Sequence, residues 1–291
     1  HVLILREFEV RFQGNELVYG LVLAFWLLGG GLGSLLAEKK FIGWLTPARF
    51  YRGLIIISAV LLLLLRFSRF FFAVLPGELT GPGPLFLTAW FIAFALSLPL
   101  GVLFVYNVLW QNGNLVAVYQ LESLGAAAGG LLVYLVLIPY LSSWQTAAVV
   151  IFLTGPGMAL ASGQKRFFIL ALVLLLAAGF WFGDGPAEKL YWQPFRLIEV
   201  RDSPYARLQV IKTEEQVSFF SNSSIAFNFP DPAAAEEAVH FAFLQRPEAD
   251  RLLLLGGGLN GTLSQALQYP QVKIDYVELD PTLVELARKV L

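Results

Sequence analysis

Long apolar stretches occupy most of the first 182 residues of this 291-residue chain. A helix needs about 20 predominantly apolar residues to cross a lipid bilayer. Six stretches reach or approach that length, and they lie at about 16–37, 52–75, 84–109, 115–138, 144–162 and 167–182. The connections between them are short, which favours antiparallel packing of neighbouring helices. The pattern therefore predicts a membrane α-helical bundle of about six spans over residues 1–182.

The composition supports a membrane chain and excludes several classes of protein. Hydrophobic residues make up 57% of the chain and charged residues 14%, whereas soluble domains carry about 25% charged residues. The chain has no cysteine, which excludes disulfides, cysteine zinc sites and iron–sulfur clusters. Its histidines are His1 and His240, too few for a His-rich metal site, so no metal is expected. With a net charge of −1 and no run of basic residues, no nucleic-acid partner is expected either.

The first residues of the chain predict a further span upstream. Residues 1–12 do not begin with Met, and they carry neither the basic segment nor the cleavage site of a signal peptide. We therefore expect at least one more membrane helix before residue 1.

Two features inside the predicted spans need an explanation. Gly29 with Gly33, and Gly125 with Gly129, form small-xxx-small patterns that let helix backbones approach closely in lipid. Glu122 lies about two turns inside the fourth span, where an ionisable group is costly and by default a functional candidate. It has two interpretations: a hydrogen-bonded or protonated group within the bundle, or a membrane-buried acidic residue used for transport or proton relay.

Basic residues beside the spans indicate an orientation, because cytoplasmic loops carry an excess of Lys and Arg. The connections after the first and fifth spans hold most of them, and the opposite side holds few. The larger group is Lys39, Lys40, Arg49, Arg52, Lys165 and Arg166, and the smaller is Arg66 and Arg69. With six spans, the larger group is cytoplasmic and residue 183 onward emerges on the outer face. A different number of spans reverses this orientation.

After residue 182 the chain becomes more polar and predicts two further domains. The first is a small antiparallel β-domain at 183–232, and the second is a Rossmann-like nucleoside-binding domain at 233–291. Short alternating runs separated by turn residues are typical of strands. The runs are Leu197–Arg201, Ala206–Lys212 and Val217–Ser221, and a Pro-rich turn leads from them into a helix at about Ala233–Leu244.

The most informative motif lies in a strand–loop–helix–strand order. A predicted strand, Arg251–Leu255, runs into a glycine loop, a helix begins near Thr262, and a second strand covers Val272–Glu278. The loop has the pattern G-x-G-x-x-G at Gly256, Gly258 and Gly261. Such glycines let the backbone approach a ligand, and an acidic residue ending the second strand accepts hydrogen bonds from ribose hydroxyls. Glu278 stands at the expected spacing, and Asp280 follows it, so both are predicted to bind the nucleoside with the glycines.

These residues resemble the cofactor-binding core of the spermidine/spermine synthase (polyamine aminopropyltransferase) family, specifically its membrane-embedded bacterial branch. The resemblance is clearest at Leu254–Gly258, Gly261–Thr262 and Tyr276–Pro281. Further matching segments are Ser203–Tyr205, the helix with Glu236, Glu237 and His240, and residues 14–16, 33–34 and 119–125 of the membrane part.

The resemblance implies a multi-pass protein of the bacterial inner (cell) membrane, with a small β-domain and a Rossmann-like domain, often dimeric. Members of the family transfer an aminopropyl group from decarboxylated S-adenosylmethionine to putrescine. The three loop glycines would then line the nucleoside and Glu278 would bind its ribose. The implied cofactor is decarboxylated S-adenosylmethionine or a related nucleoside, and the implied substrate is a polyamine.

The chain departs from the family's pattern in two places. The family's glycine loop continues with Asp and Gly, where this chain has Leu259 and Asn260. The family's Leu-Asp-Gly after the hairpin appears here as Phe220, Ser221 and Asn222. Acidic contacts to the amine are therefore missing in both places. The family's catalytic Asp falls beyond residue 291, so no catalytic residue is assigned and the sheet is expected to be incomplete.

Three functions stay open on this basis. The first is an integral membrane aminopropyltransferase resembling spermidine synthase. The second is a catalytically degenerate accessory or structural subunit of a membrane complex, because the amine-binding acids are missing. The third is a polyamine or cation transporter that uses Glu122. The expected partners are membrane lipid, a second copy in a homodimer, and the subunits of a membrane complex.

Overall fold

The computed structural model describes residues 2–37, 47–160, 166–214 and 216–291. The chain divides into two compact units, His1–Tyr191 and Trp192–Leu291. The first unit is helical, and the second combines strands with helices.

The first unit consists of helices joined by short connections. In chain order they are α1 (Val2–Arg11), α2 (Glu16–Leu36), α3 (Pro47–Arg66), α4 (Ser68–Phe72), α5 (Pro82–Trp110), α6 (Leu115–Leu132), α7 (Ser143–Leu160) and α8 (Arg166–Tyr191). A wider helical turn, Val133–Leu137, extends α6. Asn15 and Asn114 begin α2 and α6, because their side chains accept hydrogen bonds from backbone N–H groups of the first helical turn.

Within the described residues, four helices are long and apolar enough to cross a membrane. They are Glu16–Leu36, Pro82–Trp110, Leu115–Leu137 and Phe167–Tyr191, and each coincides with a predicted span. The remaining two predicted stretches also fall on helices. The stretch 144–162 coincides with α7 as far as the described residues extend, and 52–75 is divided between α3 and α4. Four candidate spans are therefore supported, and the bundle of six stays a prediction.

Glycines bring the backbones of α2 and α5 into direct contact. A Cβ atom added at Gly33 would overlap the carbonyl oxygen of Leu98, and one at Gly101 would overlap that of Gly30. Ser34 Oγ donates to the carbonyl oxygens of Gly30 (3.0 Å) and Gly101 (3.2 Å). The first small-xxx-small pattern therefore serves helix packing. A Cβ atom at either glycine of the second pattern would meet no atom of the described chain within 4 Å.

Five buried charged side chains form what we call the ion network: Glu7, Arg11, Arg66, Asp184 and Glu188. None is more than 8% exposed. Arg66 donates to Glu7, to Asp184 Oδ1 (3.0 Å) and to Glu188 Oε2 (2.9 Å). Arg11 donates to Glu7 Oε1 (3.0 Å) and to both oxygens of Glu188 (2.6 and 3.2 Å). The network links α1, α3 and α8, and its hydrogen bonds compensate the cost of removing these charges from water.

The last helix of the first unit is longer than the sequence predicts. The predicted membrane part ends at residue 182, because glycines and Pro186 interrupt the apolar run, but α8 continues to Tyr191. Asp184 and Glu188 are four residues apart and so share one helix face. Their pairing with arginines, and the Tyr191 ring 4.1 Å from the Arg11 guanidinium, stabilise the additional turns. The first compact unit ends at Tyr191, and the boundary of the membrane domain at residue 182 stays a prediction.

The second unit begins with a four-stranded antiparallel meander. Its strands are β1 (Arg196–Asp202), β2 (Arg207–Lys212), β3 (Val217–Ser221) and β4 (Ser224–Phe229), adjacent in this order. The three predicted strands are confirmed, and β4 is an addition. It follows a two-residue turn in which Asn222 and Ser223 have φ of 50° and 61°. Asn is among the few residues besides Gly that adopt this conformation readily, so the departure at Asn222 preserves the turn.

The remainder of the second unit has the predicted strand–loop–helix–strand order. It contains α9 (Pro232–Gln245), β5 (Arg251–Leu255), α10 (Thr262–Ala266), β6 (Lys273–Val277) and α11 (Pro281–Val290). β5 and β6 pair in parallel, with Leu255 opposite Val277. Leu253 and Leu255 are 61% and 71% exposed. Parallel strands are normally covered on both faces, and the incomplete sheet stays a prediction.

Candidate nucleoside-binding site

The glycine loop follows β5 at the carboxyl end of the parallel strand pair. Gly256, Gly257 and Gly261 have φ of 65°, 67° and 116°, where any side chain would be strained. The Gly256 N–H donates to the carbonyl oxygen of Val277 (2.8 Å) and so extends the hydrogen bonding between β5 and β6 into the loop. Ligands of open α/β sheets bind at the carboxyl ends of the strands. The loop is therefore placed where a nucleoside would bind.

The middle glycine of the motif, Gly258, lies against the ring of Tyr276. A Cβ atom at Gly258 would be 2.7 Å from Cε2 and 2.8 Å from Cζ of that ring, so the contact requires glycine. The Tyr276 hydroxyl donates to Glu278 Oε2 (2.7 Å), and the Leu279 N–H donates to Glu278 Oε1 (3.0 Å). Burial and the hydrogen bond to Glu278 raise the pKa of Tyr276 to about 12, so this hydroxyl remains protonated at neutral pH.

Asp280, predicted to bind the cofactor, makes hydrogen bonds within the fold. It is buried, its Oδ1 accepts from the Thr282 N–H (2.9 Å), and this contact begins α11. Its Oδ2 accepts from Ser203 Oγ (2.7 Å), which ties the loop after β1 to the end of β6. Both oxygens therefore hold protein partners, and a direct role of Asp280 in binding stays a prediction.

The departures in the glycine loop have local structural roles. Leu259 packs against the apolar cluster that includes Leu208 of β2 and Leu286 of α11. Asn260 Oδ1 accepts from the N–H (3.0 Å) and the hydroxyl (2.7 Å) of Thr262, where α10 begins. Leu259 therefore contributes to packing, and Asn260 orders the turn into the helix.

Other predicted candidates have hydrogen-bond partners within their own units. Glu122 is exposed on α6 in the first unit, and its Oε1 accepts from Asn107 Nδ2 (3.3 Å). The described helices therefore do not bury it, and its transport role stays a prediction. In the second unit, His240 Nδ1 lies 2.6 Å from the Tyr269 hydroxyl, while the two acids of the same helix are exposed.

No group of three or more His, Asp or Glu side chains is placed to hold a metal ion within residues 2–37, 47–160, 166–214 and 216–291. The candidate site is formed by loop backbone and by one carboxylate, that of Glu278. Such a set suits hydrogen bonding to a nucleoside.

No role was predicted for Tyr276 or Ser203, although the hydroxyl of each donates a hydrogen bond to an acidic residue of the motif. Residues two apart on a strand point to the same face. That spacing between Tyr276 and Glu278 was the available signal. The link from Ser203 to Asp280 joins residues 77 positions apart, and no local pattern predicts it.

Comparison with known proteins identifies relatives that match most of the chain and others that match a shorter part of it. No family model and no solved structure matches it. The polyamine aminopropyltransferase of Oceanobacillus iheyensis is 29% identical over 93% of this chain and 56% of its own length. That of Corynebacterium efficiens is 27% identical over 62% of this chain and 38% of its own length. Polyamine aminopropyltransferase 2 of Ralstonia nicotianae is 35% identical over 31% of this chain and 18% of its own length.

The chain thus spans little more than half of the Oceanobacillus protein and a smaller part of the other two. The match over 93% of the chain includes both the apolar helices and the glycine motif. The resemblance inferred from the motif residues is therefore confirmed: over most of its length this chain is similar to polyamine aminopropyltransferases of the spermidine synthase family.

Proposed function

We propose that this chain is part of an integral membrane aminopropyltransferase of the bacterial cell membrane, in which the second unit binds decarboxylated S-adenosylmethionine. The glycine loop would accommodate the nucleoside, and Glu278 would accept hydrogen bonds from its ribose. The four candidate spans support a multi-pass membrane protein, and the match over 93% of the chain supports the aminopropyltransferase activity.

The reaction is a nucleophilic displacement. An amine nitrogen of the polyamine bonds to the aminopropyl carbon, the bond from that carbon to sulfur breaks, and methylthioadenosine leaves. The nitrogen gives up a proton to a base. The described residues would bind the aminopropyl donor, because the glycines and Glu278 would contact its nucleoside part and not the reacting carbon.

One observation carries the proposal: Glu278 directly follows β6, and the glycine loop directly follows β5, its parallel partner. Parallel pairing aligns the ends of the two strands, which supports a single site that includes the loop and the carboxylate. In nucleoside-binding folds, this arrangement lets the backbone of the loop contact the ligand closely, while the acidic side chain accepts hydrogen bonds from the ribose hydroxyls.

Calorimetric titration tests the proposal directly. The purified full-length membrane protein is titrated with decarboxylated S-adenosylmethionine, S-adenosylmethionine and methylthioadenosine. We expect saturable binding that Glu278→Ala abolishes and that Glu285→Ala, an exposed acid on α11, leaves unchanged. No binding of any of the three by the wild-type protein would overturn the proposal.

A second candidate function is a degenerate accessory subunit of a membrane complex. The packing of Leu259 in an apolar cluster favours it, because the family's acidic residue at that place is replaced by a side chain that stabilises the fold. Purification from native membranes distinguishes the two functions. An accessory subunit should co-purify with stoichiometric partners and lack transferase activity, whereas an active enzyme without partners would exclude this role.

A further inference from the structure

Tyr276 connects the two parts of the proposed site. Its ring lies against Gly258, so closely that a methyl group there would overlap it, and its hydroxyl reaches Glu278 Oε2 at 2.7 Å. Tyr276 lies in β6 and Glu278 directly follows that strand, and the hydrogen bond between their side chains shows that they lie on the same side. One side chain thus contacts both the loop and the carboxylate.

The two hydrogen bonds to Glu278 define the orientation of its carboxylate. The Leu279 N–H holds Oε1 at 3.0 Å, and the Tyr276 hydroxyl holds Oε2. A glutamate that is only half-buried otherwise samples several rotamers, and ordering it on binding costs free energy. Two fixed contacts remove much of that cost before the ligand arrives. Each carboxylate oxygen keeps a second lone pair for a ribose hydroxyl.

We propose that Tyr276 is a positioning residue of the nucleoside site, which orients Glu278 for the ribose hydroxyls. This assignment rests on the proposed function. The raised pKa of Tyr276 agrees with it, because a hydroxyl that remains protonated can only donate to the ionised carboxylate. Tyr276 does not touch the reacting atoms and is not a catalytic residue.

A purely structural role predicts a different result. If Tyr276 only fills the space beside Gly258, then phenylalanine would serve equally well, since it keeps the ring and lacks the hydroxyl. The Tyr276 hydroxyl also accepts a hydrogen bond from the backbone of Gly258, so Tyr276→Phe alone does not separate the two roles. Comparing a ribose probe with a deoxyribose probe in this variant separates orientation of the carboxylate from support of the loop.

The test uses the full chain and two probes, methylthioadenosine and its 2′-deoxy analogue. The wild-type protein should prefer the ribose form. In Tyr276→Phe, affinity for methylthioadenosine should fall about tenfold, in line with loss of a hydrogen bond to a charged group. Affinity for the deoxy analogue should change less than about twofold, because that probe makes fewer bonds to Glu278. Glu278→Gln should likewise reduce the preference for ribose.

Tyr269→Phe is the matched control. The Tyr269 hydroxyl forms a hydrogen bond with His240 Nδ1 (2.6 Å), and the Tyr269 ring stacks on Phe243. Like Tyr276→Phe, this variant therefore loses one hydroxyl contact within the second unit and keeps the ring. This variant should keep the wild-type preference for ribose. Thermal unfolding of each variant in detergent shows that the chain is folded at the temperature of the titration.

The outcomes separate the positioning role from the proposed function. A wild-type protein that binds neither probe overturns the proposed function and this assignment with it. A wild-type preference for ribose that Tyr276→Phe retains refutes the positioning role alone. Equal losses for the two probes in Tyr276→Phe also refute it, because the hydroxyl would then support the loop and not the ribose contact.

Discussion

Replacing Arg66 by alanine should destabilise the helical unit more than any other single truncation of a charged side chain. Arg66 is fully buried and donates to three carboxylates, those of Glu7, Asp184 and Glu188. Its guanidinium also lies 4.4 Å from the centre of the Trp144 ring. Removing it leaves three buried acids facing a single arginine of the ion network.

The expected loss of unfolding free energy follows from the burial of Arg66 and its acidic partners. Breaking a buried ion pair by removing one partner costs about 3–5 kcal/mol, because the remaining charge stays buried without compensation. We expect a loss in that range for Arg66→Ala. Arg66→Lys retains the charge but not the planar fork that reaches several acids at once. Its expected loss is smaller, about 1–3 kcal/mol.

The measurement is reversible unfolding in mixed detergent and sodium dodecyl sulfate micelles, followed by the circular dichroism of the helices. Arg49→Ala is the matched control, because Arg49 is exposed at the other end of the same helix. It should change the free energy of unfolding by less than about 0.5 kcal/mol. If Arg66→Ala were as mild as this control, the ion network would contribute no net stability and the reasoning would be wrong.

Three further predictions concern the helix contact, the loop and a surface ion pair. Gly33→Ala should destabilise the chain by about 1–3 kcal/mol through overlap with the facing helix, whereas Gly31→Ala, with open space around it, should be neutral or stabilise by up to about 1 kcal/mol in the same unfolding assay. Gly258→Ala should lower the thermal unfolding temperature and weaken nucleoside binding, since the added methyl overlaps the tyrosine ring of β6; wild-type values for both would contradict the contact. The hydrogen bond from the Lys289 ammonium (2.8 Å) holds the pKa of Glu199 below its ordinary value, so its stabilisation is present at neutral pH and is lost as the pH falls through that lowered pKa. Lys289→Met should therefore cost about 0.2–1 kcal/mol at pH 7 and progressively less as the pH falls through the lowered pKa, and a cost that does not change with pH would exclude the pair as its source.

Local patterns predicted most of the second unit. The strand Arg251–Leu255, the glycine loop and the helix at Thr262 follow each other without interruption, and each has its own sequence signal. The hairpin at Asn222 and Ser223 was missed, because it lacks the glycine that usually marks such a turn. The alternation of polar and apolar residues after Ser223 was the signal that could have predicted β4.

The ion network could not be predicted from local patterns. Its cross-helix partners are 59 to 177 positions apart, and apolar periodicity does not say which helices pack together. Two hints were present, since Glu7 with Arg11 and Asp184 with Glu188 each stand four residues apart and so share a helix face. The apolar run before residue 183 and the proline after it instead indicated the end of a span.

The order of the ion network along the chain has a consequence for biosynthesis. Arg11 and Arg66 are translated long before Asp184 and Glu188, which lie 118 to 177 positions after them. Until α8 emerges from the ribosome, Glu7 is the one acid of the network that can balance these two arginines. A nascent chain halted before Asp184 would keep an uncompensated cation among its helices, and should be degraded faster than one halted after Tyr191. The ion network can therefore be completed only after the last helix of the first unit has been synthesised.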